Sequence, residues 1–297
     1  MMNFLIIINP NSGKKKSVSV FKNILKPSLE FNSINYKTKT TTYSGHAEQI
    51  IESIDLLNFN AILVLGGDGT MHEVINGLLK REDGIKPPIG NIPTGSGNSL
   101  LYDLGKFDIK DTINIILKNK IRKIDILELS TLNKKIYSMN LIGWGMGNDI
   151  GLRAEKMRWL GPMRYNVASL IEILKYKGRQ ATIKIDGIKY DDSYALITIC
   201  NTIHVGKGMK MAPNASLNDK KMDIIMIKDN FSKFELLKLF PQLFSGNHIK
   251  NKKVTYVQAE TFSLKTLKND ILNIDGEVKG ETPINIKVIP ECIKLLN

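Results

Sequence analysis

The sequence predicts a first α/β domain, with a parallel sheet and crossover helices, followed by a β-rich domain of antiparallel, sandwich-like strands. Apolar strand patterns alternate with helical patterns up to about residue 120, and short strand patterns dominate from residue 121 onward. The length of 297 residues also suits two domains of ordinary size. We therefore predict domains at 1–121 and 122–297, and expect the last residues to pack back on the first domain.

Strands and helices alternate regularly in the first domain. The apolar run 4–8 ends at Asn9-Pro10, which is typical of a buried strand that enters a turn. Between residues 71 and 80, Val74 and Leu78 fall on one face of a helix. The predicted strands are 4–8, 34–42, 61–65 and 89–92. One predicted helix follows the first strand and ends at residue 29, and two more cover 44–57 and 71–80.

Strand patterns dominate the second domain, with two helical interruptions. The helix predicted at 163–176 places Met163, Val167, Leu170, Ile171 and Leu174 on one face. The helix predicted at 231–244 opens with Ser232 and Glu235 at the spacing of a capping box. The predicted strands are 123–129, 135–141, 181–185, 195–200, 223–227 and 262–267.

Composition excludes several classes of protein. Apolar residues make up 42% and charged residues 24%, as in ordinary globular proteins. Cys200 and Cys292 are too few for a disulfide scaffold or a thiolate zinc site, so we expect a reduced, cytoplasmic setting. No apolar stretch reaches the ~20 residues of a membrane span, and the run at 4–8 is too short for a signal-peptide core. The net charge of +13 indicates an anionic partner or a compositional bias toward lysine.

Glycine-rich and polar turns follow the strands of the first domain. The turn Gly66–Thr70 lies between an apolar strand and an amphipathic helix, where backbone amides converge on an anion. Asp68 within this turn repels phosphate unless Mg²⁺ or a hydroxyl lies between them; otherwise it closes an Asx turn. Similar turns occur at 9–13, 41–45 and 93–98, and a parallel sheet would gather all four at one edge.

These motifs resemble the diacylglycerol kinase catalytic domain superfamily. The segments that carry the resemblance are 66–78, the Gly-Ser-Gly-Asn form of 93–98, the turns at 9–13 and 41–47, the central motif 144–165, and the motifs 212–215 and 275–277. Residues 95–98 are closest to the sphingosine and ceramide kinase branch. The resemblance implies a fold like that of NAD kinase and diacylglycerol kinase, with a nucleotide-binding domain joined to a lipid-binding domain, and it implies ATP and Mg²⁺ as cofactors.

The resemblance also implies roles for individual residues. The catalytic base is Asp68 or Glu277, with Asp68 favoured. Asp275 is expected to reach the active-site Mg²⁺ directly or through water, although Asp-Gly is also a common hairpin turn, and Asp219 corresponds to a structural Mg²⁺ ligand. Asp149 corresponds to a substrate-binding residue. The implied nucleotide contacts are Asn9, Pro10, Asn11, Thr41, Gly45, Gly67, Gly69, Thr70, Glu73, Thr94, Gly95, Ser96, Gly97, Glu155, Arg158, Arg164, Asp275 and Gly276.

The predicted function is therefore transfer of the ATP γ-phosphate to a hydroxyl of a membrane lipid of the diacylglycerol or sphingoid and ceramide type. Gly151 stands where sphingosine kinases carry a headgroup-binding Asp. The alternatives are an NAD kinase-like enzyme and a non-catalytic lipid-binding protein. Expected partners are a lipid at an anionic membrane surface, reached by peripheral association, and no nucleic acid, with a homodimer left open. The helix at 231–244, with the basic residues of 250–253, either lies on that surface or packs into the core.

Overall fold

The computed structural model describes residues 2–13, 15–95, 98–105, 108–206 and 208–297, without the side chains of Arg158 and Pro162. Contacts divide the chain into a first unit, Met1–Ile126 with Pro290–Asn297, and a second unit, Leu127–Ile289. In the described part of the chain, no helix combines the length and the apolar character needed to cross a bilayer.

The first unit alternates strands and helices as predicted. Its first strand is followed by a helical stretch that includes a π-helical segment at Phe21–Leu25. The elements are β1 (Asn3–Ile8), α1 (Lys16–Val20), α2 (Lys26–Phe31), β2 (Asn35–Thr40), α3 (His46–Ser53), β3 (Ala61–Gly66), α4 (Asp68–Lys80), β4 (Ile89–Pro93), α5 (Ser99–Asp103), α6 (Ile109–Leu117) and β5 (Ile121–Ser130), which continues into the second unit.

The sheet of the first unit is parallel, in the order β2-β1-β3-β4. Its register places Ile8 beside Leu65 and Leu65 beside Ile92. The central strands β1 and β3 are apolar along their length because helices cover both of their faces. The edge strand β2 is mostly exposed and polar. The loops that follow these strands therefore lie along one edge of the sheet, which confirms the α/β prediction.

One predicted helix of this unit is shorter than its pattern suggests. The pattern covers 44–57, whereas α3 ends at Ser53 and Ile54 is extended. Asp55 Oδ1 accepts a hydrogen bond from the backbone N–H of Leu57 at 2.9 Å, forming an Asx turn. This local hydrogen bond offers the backbone an alternative to a further helical turn.

The second unit is built mainly of strands. Two 3₁₀ segments, Arg158–Met163 and Asn247–Lys250, accompany its helices. The elements are β6 (Lys135–Ser138), β7 (Leu141–Gly145), α7 (Met146–Lys156), α8 (Arg164–Lys175), β8 (Arg179–Ile185), β9 (Ile188–Cys200), β10 (His204–Val205), β11 (Met209–Lys210), β12 (Met222–Lys228), α9 (Lys233–Leu239), α10 (Gln242–Ser245), β13 (Val254–Ala259), β14 (Thr261–Thr266), β15 (Ile271–Ile274), β16 (Glu277–Glu281) and β17 (Ile284–Leu296), whose end belongs to the first unit.

The strands of the second unit pair antiparallel, in the order β16-β15-β7-β9-β8-β14-β17, and β12 pairs with both β9 and β13. Trp144, Tyr194 and Phe262 are the largest side chains of the core that these strands enclose. The pairing confirms the prediction of an antiparallel, β-rich domain.

Two predicted elements of this unit are interrupted, each for a local reason. The strand predicted at 135–141 is two strands, because the backbone N–H groups of Met139 and Asn140 donate hydrogen bonds to the carboxylate of Asp275. The helix predicted at 231–244 is divided at Pro241, which cannot donate the hydrogen bond that would continue α9. The capping box of Ser232 and Glu235 is confirmed by both of its hydrogen bonds.

Candidate active site

Hydrogen bonds join the loops at the carboxyl edge of the first-unit sheet. Asn9 Nδ2 donates to Thr70 Oγ1 at 2.9 Å, which links the loop after β1 to the start of α4. Ser17 Oγ donates to Thr94 Oγ1 at 2.9 Å, which links α1 to the loop after β4. The turns that carry Asn9, Thr70 and Thr94 therefore meet, as the parallel sheet predicts.

Two glycines allow these loops to approach each other closely. A Cβ atom at Gly95 would lie 2.2 Å from the Cα atom of Gly67, and a Cβ atom at Gly13 would lie 1.9 Å from the carbonyl oxygen of Thr94. Any side chain at Gly13 or Gly95 would therefore force the turns apart. The glycines keep backbone amides of three turns near one another, which is the arrangement that cradles phosphate groups.

Asp68 is anchored to Ser99, the first residue of α5. Its two carboxylate oxygens accept hydrogen bonds from the backbone N–H of Ser99 at 2.8 and 3.0 Å, and Oδ2 accepts one from the Ser99 hydroxyl at 3.0 Å. Asp68 is the first residue of α4 and is half-buried. The motif aspartate thus holds a fixed position at the edge where the glycine-rich turns meet.

Glu73 has a structural role that the sequence did not reveal. Its carboxylate accepts hydrogen bonds from the backbone N–H of Gly45 at 2.7 Å and of Ala47 at 3.0 Å, so it caps the start of α3. Glu73 and Thr41 are both buried. Glu73 thus holds the loop at Gly45 in place, and the nucleotide contacts of Glu73 and Thr41 stay predictions.

The remaining predicted contacts of the first unit are only partly described. Asn11 has an exposed side chain, and its backbone N–H donates to Asn9 Oδ1 at 3.0 Å in an Asx turn that also contains Pro10. Ser96 and Gly97 lie outside the described residues.

Asp275, in the second unit, is buried within a cradle of donors. Its Oδ1 accepts hydrogen bonds from the Ser138 hydroxyl at 2.7 Å and from the backbone N–H groups of Asn140 and Leu141 at 2.9 and 3.0 Å. Its Oδ2 accepts one from the backbone N–H of Met139 at 3.1 Å. These donors occupy both oxygens, so the surroundings of Asp275 do not fit direct coordination of Mg²⁺. A contact with Mg²⁺ through water and a contact with a nucleotide stay predictions for this residue.

The Asp275-Gly276 dipeptide forms a two-residue hairpin turn between β15 and β16. Both residues have positive φ values, 52° and 90°, and Ile274 pairs with Glu277 across the turn. The hairpin alternative is therefore confirmed. Glu277 follows immediately, is half-buried and forms an ion pair of 2.5 Å with Lys279.

Asp149 lies in an open pocket of about 300 Å³ formed by α7, α8 and β8. Its carboxylate forms an ion pair of 2.7 Å with Arg179. Burial raises the pKa of Asp149, and the Arg179 guanidinium opposes that shift. The side chains that line the pocket are Asp149, Leu152, Arg153, Lys156, Glu172 and Arg179.

The central motif contributes a second ion pair in this unit. Arg164 lies 3.4 Å from Glu155, and its guanidinium stacks 4.9 Å from the centre of the Tyr165 ring. The side chain of Arg158 lies outside the described residues. The structure thus pairs two of the three predicted nucleotide contacts of this motif with each other.

Asp219 lies near a second carboxylate, Asp223, and its structural Mg²⁺ stays a prediction. Asp219 Oδ1 accepts from the backbone N–H of Lys221 at 3.1 Å, and the Gln258 amide nitrogen faces both Asp219 and Asp223, at 3.4 and 3.1 Å. The Gln258 side chain therefore lies between the two carboxylates. Among the described residues, no group of three His, Cys, Asp or Glu side chains is suited to a metal ion.

A parallel α/β unit with converging glycine-rich turns, continued by an antiparallel β unit, is the fold of solved diacylglycerol kinase and NAD kinase structures. A crystal structure of a diacylglycerol kinase from Bacillus anthracis has this fold, with a TM-score of 0.80 and 23% identity over 99% of this chain and 96% of that chain. An NAD kinase from Archaeoglobus fulgidus in complex with ATP is less similar, with a TM-score of 0.55 and 14% identity over 100% and 94% of the two chains.

Family comparisons identify the class more narrowly. Residues 3–129 match the diacylglycerol kinase catalytic domain, and residues 140–297 match the YegS C-terminal NAD kinase beta sandwich-like domain. Sphingosine kinase 1 of Arabidopsis thaliana is 29% identical over 92% of this chain and 68% of its own length. Diacylglycerol kinase of Bacillus subtilis is 29% identical over 94% and 90%. The chain belongs to the diacylglycerol kinase catalytic domain superfamily, a family of lipid kinases.

Sequence reasoning missed three residues that shape this site. Ser99 anchors Asp68, Ser138 anchors Asp275, and Arg179 pairs with Asp149. The partners are 31, 137 and 30 residues apart in the chain. Ser99 alone had a local signal, because it directly follows the Gly-Ser-Gly-Asn motif.

Proposed function

We propose that this protein transfers the γ-phosphate of ATP to a hydroxyl group of a membrane lipid. The observation that carries the proposal is the meeting of the glycine-rich turns around an anchored Asp68, in a chain that belongs to a lipid kinase superfamily. Phosphoryl transfer needs positioning and electrostatic stabilisation more than covalent chemistry. An edge of fixed turns suits that requirement.

The first unit would bind the nucleotide. The backbone N–H groups of Gly69 and Thr70 are at the start of the 13-residue helix α4, whose partial positive charge favours phosphate. Asp68 would accept the proton of the attacking hydroxyl, and Ser99 would hold its carboxylate in place. Mg²⁺ would supply charge neutralisation as the counter-ion of the ATP phosphates, since the surroundings of Asp275 do not fit direct coordination of a resident metal.

The second unit would bind the lipid. The pocket at Asp149 has three basic side chains, Arg153, Lys156 and Arg179, against two carboxylates, Asp149 and Glu172. Each carboxylate already has an arginine partner. A cationic sphingoid amine would therefore meet net positive charge, whereas the uncharged headgroup of diacylglycerol or ceramide would not.

The position of Gly151 also supports a lipid substrate with an uncharged headgroup. A Cβ atom at this position would lie 3.1 Å from Asn273 Nδ2, so the side of α7 at Gly151 faces an amide rather than a carboxylate. The chain thus lacks a free acidic group at the place where sphingosine kinases carry a headgroup-binding Asp. We propose a neutral lipid alcohol as the substrate.

Transfer of labelled γ-phosphate tests this function. The acceptors are diacylglycerol, monoacylglycerol, ceramide, sphingosine, dihydrosphingosine and NAD, with Asp68→Asn as the blank. Asp55→Asn is the matched control, because this carboxylate caps an exposed turn of the same unit. We expect label on a neutral lipid, lost in Asp68→Asn and kept in Asp55→Asn. Label on NAD alone would make the protein an NAD kinase-like enzyme, and lipid binding without label would make it a non-catalytic binding protein.

A further inference from the structure

The apolar positions of helix α8 face solvent. Met163, immediately before the helix, is 63% exposed, and Leu170 and Leu174 are 47% and 50% exposed. Together with the partly exposed Val167, they occupy positions i, i+4, i+7 and i+11, which form one stripe along a helix. We call these four residues the outward face of α8. Trp159, in the preceding 3₁₀ segment, is 79% exposed.

The buried side of α8 is less apolar than its exposed side. Ala168, Ser169 and Ile173 are the buried residues of the helix, and two of these three side chains are small. The helix α9 has the usual arrangement, with Leu236 and Leu239 buried. An amphipathic helix normally turns its apolar face to the core, so the inversion in α8 leaves an apolar surface that needs another environment.

Basic residues precede and follow the outward face along the chain. Residues 153–179 contain seven lysines and arginines and two acidic residues. Lys156, Lys175 and Lys177 form no ion pair with any residue that the structure describes. An apolar stripe with a basic rim has the chemistry of a surface that binds an anionic bilayer.

We propose that the outward face of α8 and Trp159 dock the protein on an anionic lipid bilayer. This inference rests on the proposed function, because a lipid kinase must reach a substrate held in a membrane. The helices α7 and α8 also line the pocket at Asp149, so docking through α8 would bring that pocket to the bilayer. A second copy of the chain fits less well, since symmetric pairing would bring two basic rims together.

The segment 231–253 is the competing surface, and its structure argues against it. Phe231, Leu236 and Leu239 are buried in the core. Lys253 donates to Glu235 at 2.7 Å and to the carbonyl oxygen of Asn230 at 3.0 Å, so its charge is already compensated. Phe234 and Phe244 are 65% and 48% exposed, so this segment presents two strongly exposed large apolar side chains, whereas Met163, Leu170, Leu174 and Trp159 make four at α8.

Vesicle cosedimentation tests the proposal, with phosphatidylcholine vesicles that contain or lack phosphatidylglycerol. The variant Leu170→Gln/Leu174→Gln removes apolar area from the outward face while glutamine keeps helix propensity. We expect its binding to anionic vesicles to fall by roughly tenfold or more. Lys175→Gln/Lys177→Gln should weaken binding to anionic vesicles several-fold and make the remainder less sensitive to salt.

Two controls make the outcome decisive. Leu267→Gln changes a leucine of the same unit that is 88% exposed and lies outside α8, and should leave binding unchanged. Phe234→Gln probes the competing surface. The proposal is overturned if Leu170→Gln/Leu174→Gln binds anionic vesicles as the parent protein does, or if Leu267→Gln or Phe234→Gln loses as much vesicle binding as that variant. It is also overturned if sedimentation velocity shows a dimer that depends on Leu170. Kinase activity on lipid in detergent micelles is scored separately, so failure of the proposed function leaves the vesicle result interpretable.

Discussion

Asp68 and Asp275 both lie in turns with glycine, yet the protein uses their carboxylates differently. Asp68 is half-buried, and its carboxylate accepts hydrogen bonds from the backbone N–H and the hydroxyl of Ser99. Asp275 is buried and accepts hydrogen bonds from four consecutive residues, Ser138 to Leu141. The donors to Asp275 occupy both of its oxygens and make it part of the framework, whereas the role that we propose for Asp68 is to act on a ligand.

Two motifs of similar appearance thus place their aspartates among different hydrogen-bond donors. Both aspartates belong to motifs of the same family. Asp68 begins a helix at the carboxyl edge of a parallel sheet, and Asp275 begins a hairpin turn. The surrounding fold therefore gives the two aspartates different hydrogen-bond environments.

The largest expected effect comes from Asp68→Asn. If Asp68 is the base, kcat should fall by about 10² to 10⁴, while asparagine preserves an oxygen that accepts from Ser99. The free energy of unfolding should change by less than about 1 kcal/mol. Single-turnover kinetics and urea denaturation of the same samples measure the two quantities. A near-normal kcat would transfer the role of base to Glu277.

Asp275→Asn should mainly lower the free energy of unfolding, whereas Asp68→Asn should mainly lower kcat. Its amide would place an N–H₂ group against the backbone N–H of Met139 or against Asn140 and Leu141, so at least one buried donor loses its acceptor. We expect a loss of about 3 kcal/mol in the free energy of unfolding. Urea denaturation measures this loss. Stability equal to that of the parent protein would show that the cradle is not part of the framework.

A smaller effect is expected from Ser99→Ala, which removes the hydroxyl and keeps the backbone donor to Asp68. As a positioning residue, Ser99 should affect kcat by roughly fivefold, equivalent to about 1 kcal/mol, with little change in KM for ATP. Ser99→Thr keeps the hydroxyl and should restore the rate. Equal rates in all three proteins would remove Ser99 from the positioning of Asp68.

Much of the fold followed from local patterns. Continuous apolar runs predicted β1 and β3, because a strand covered on both faces cannot carry polar residues. The spacing of Ser232 and Glu235 predicted the capped start of α9. The interruption at Met139 and Asn140 could not be predicted, because its cause is Asp275, more than a hundred residues away.

In the candidate site, too, local patterns could be predicted from the sequence but contacts between distant residues could not. The motif at 66–70 predicted where the turns would meet, since parallel strands bring their carboxyl ends together. The sequence could not tell that Glu73 caps α3 or that Asp149 has an arginine partner, because both depend on tertiary contacts. It predicted a single apolar face for α8 correctly, but not that this face is exposed.

The smallest expected effect is the pH dependence of stability that arises from Asp223, a buried carboxylate of the second unit like Asp275. Burial raises the pKa of Asp223, although Tyr256 and Gln258 donate to it and oppose the shift. The folded protein therefore binds this proton more tightly than the unfolded chain does. As the pH rises from the ordinary value of 3.8 through the raised pKa, this group must make folding less favourable.

Asp223→Asn removes that titration and keeps an oxygen that Tyr256 and Gln258 can use. The stability of the variant relative to the parent protein should therefore increase with pH through this window and then level off. Urea denaturation at a series of pH values measures the difference. Asp191→Asn provides the opposite sign, because hydrogen bonding to Lys189 lowers the pKa of Asp191 and its contribution is lost as the pH falls. A pH-independent difference for Asp223→Asn would show that this carboxyl titrates alike in the folded and unfolded chains.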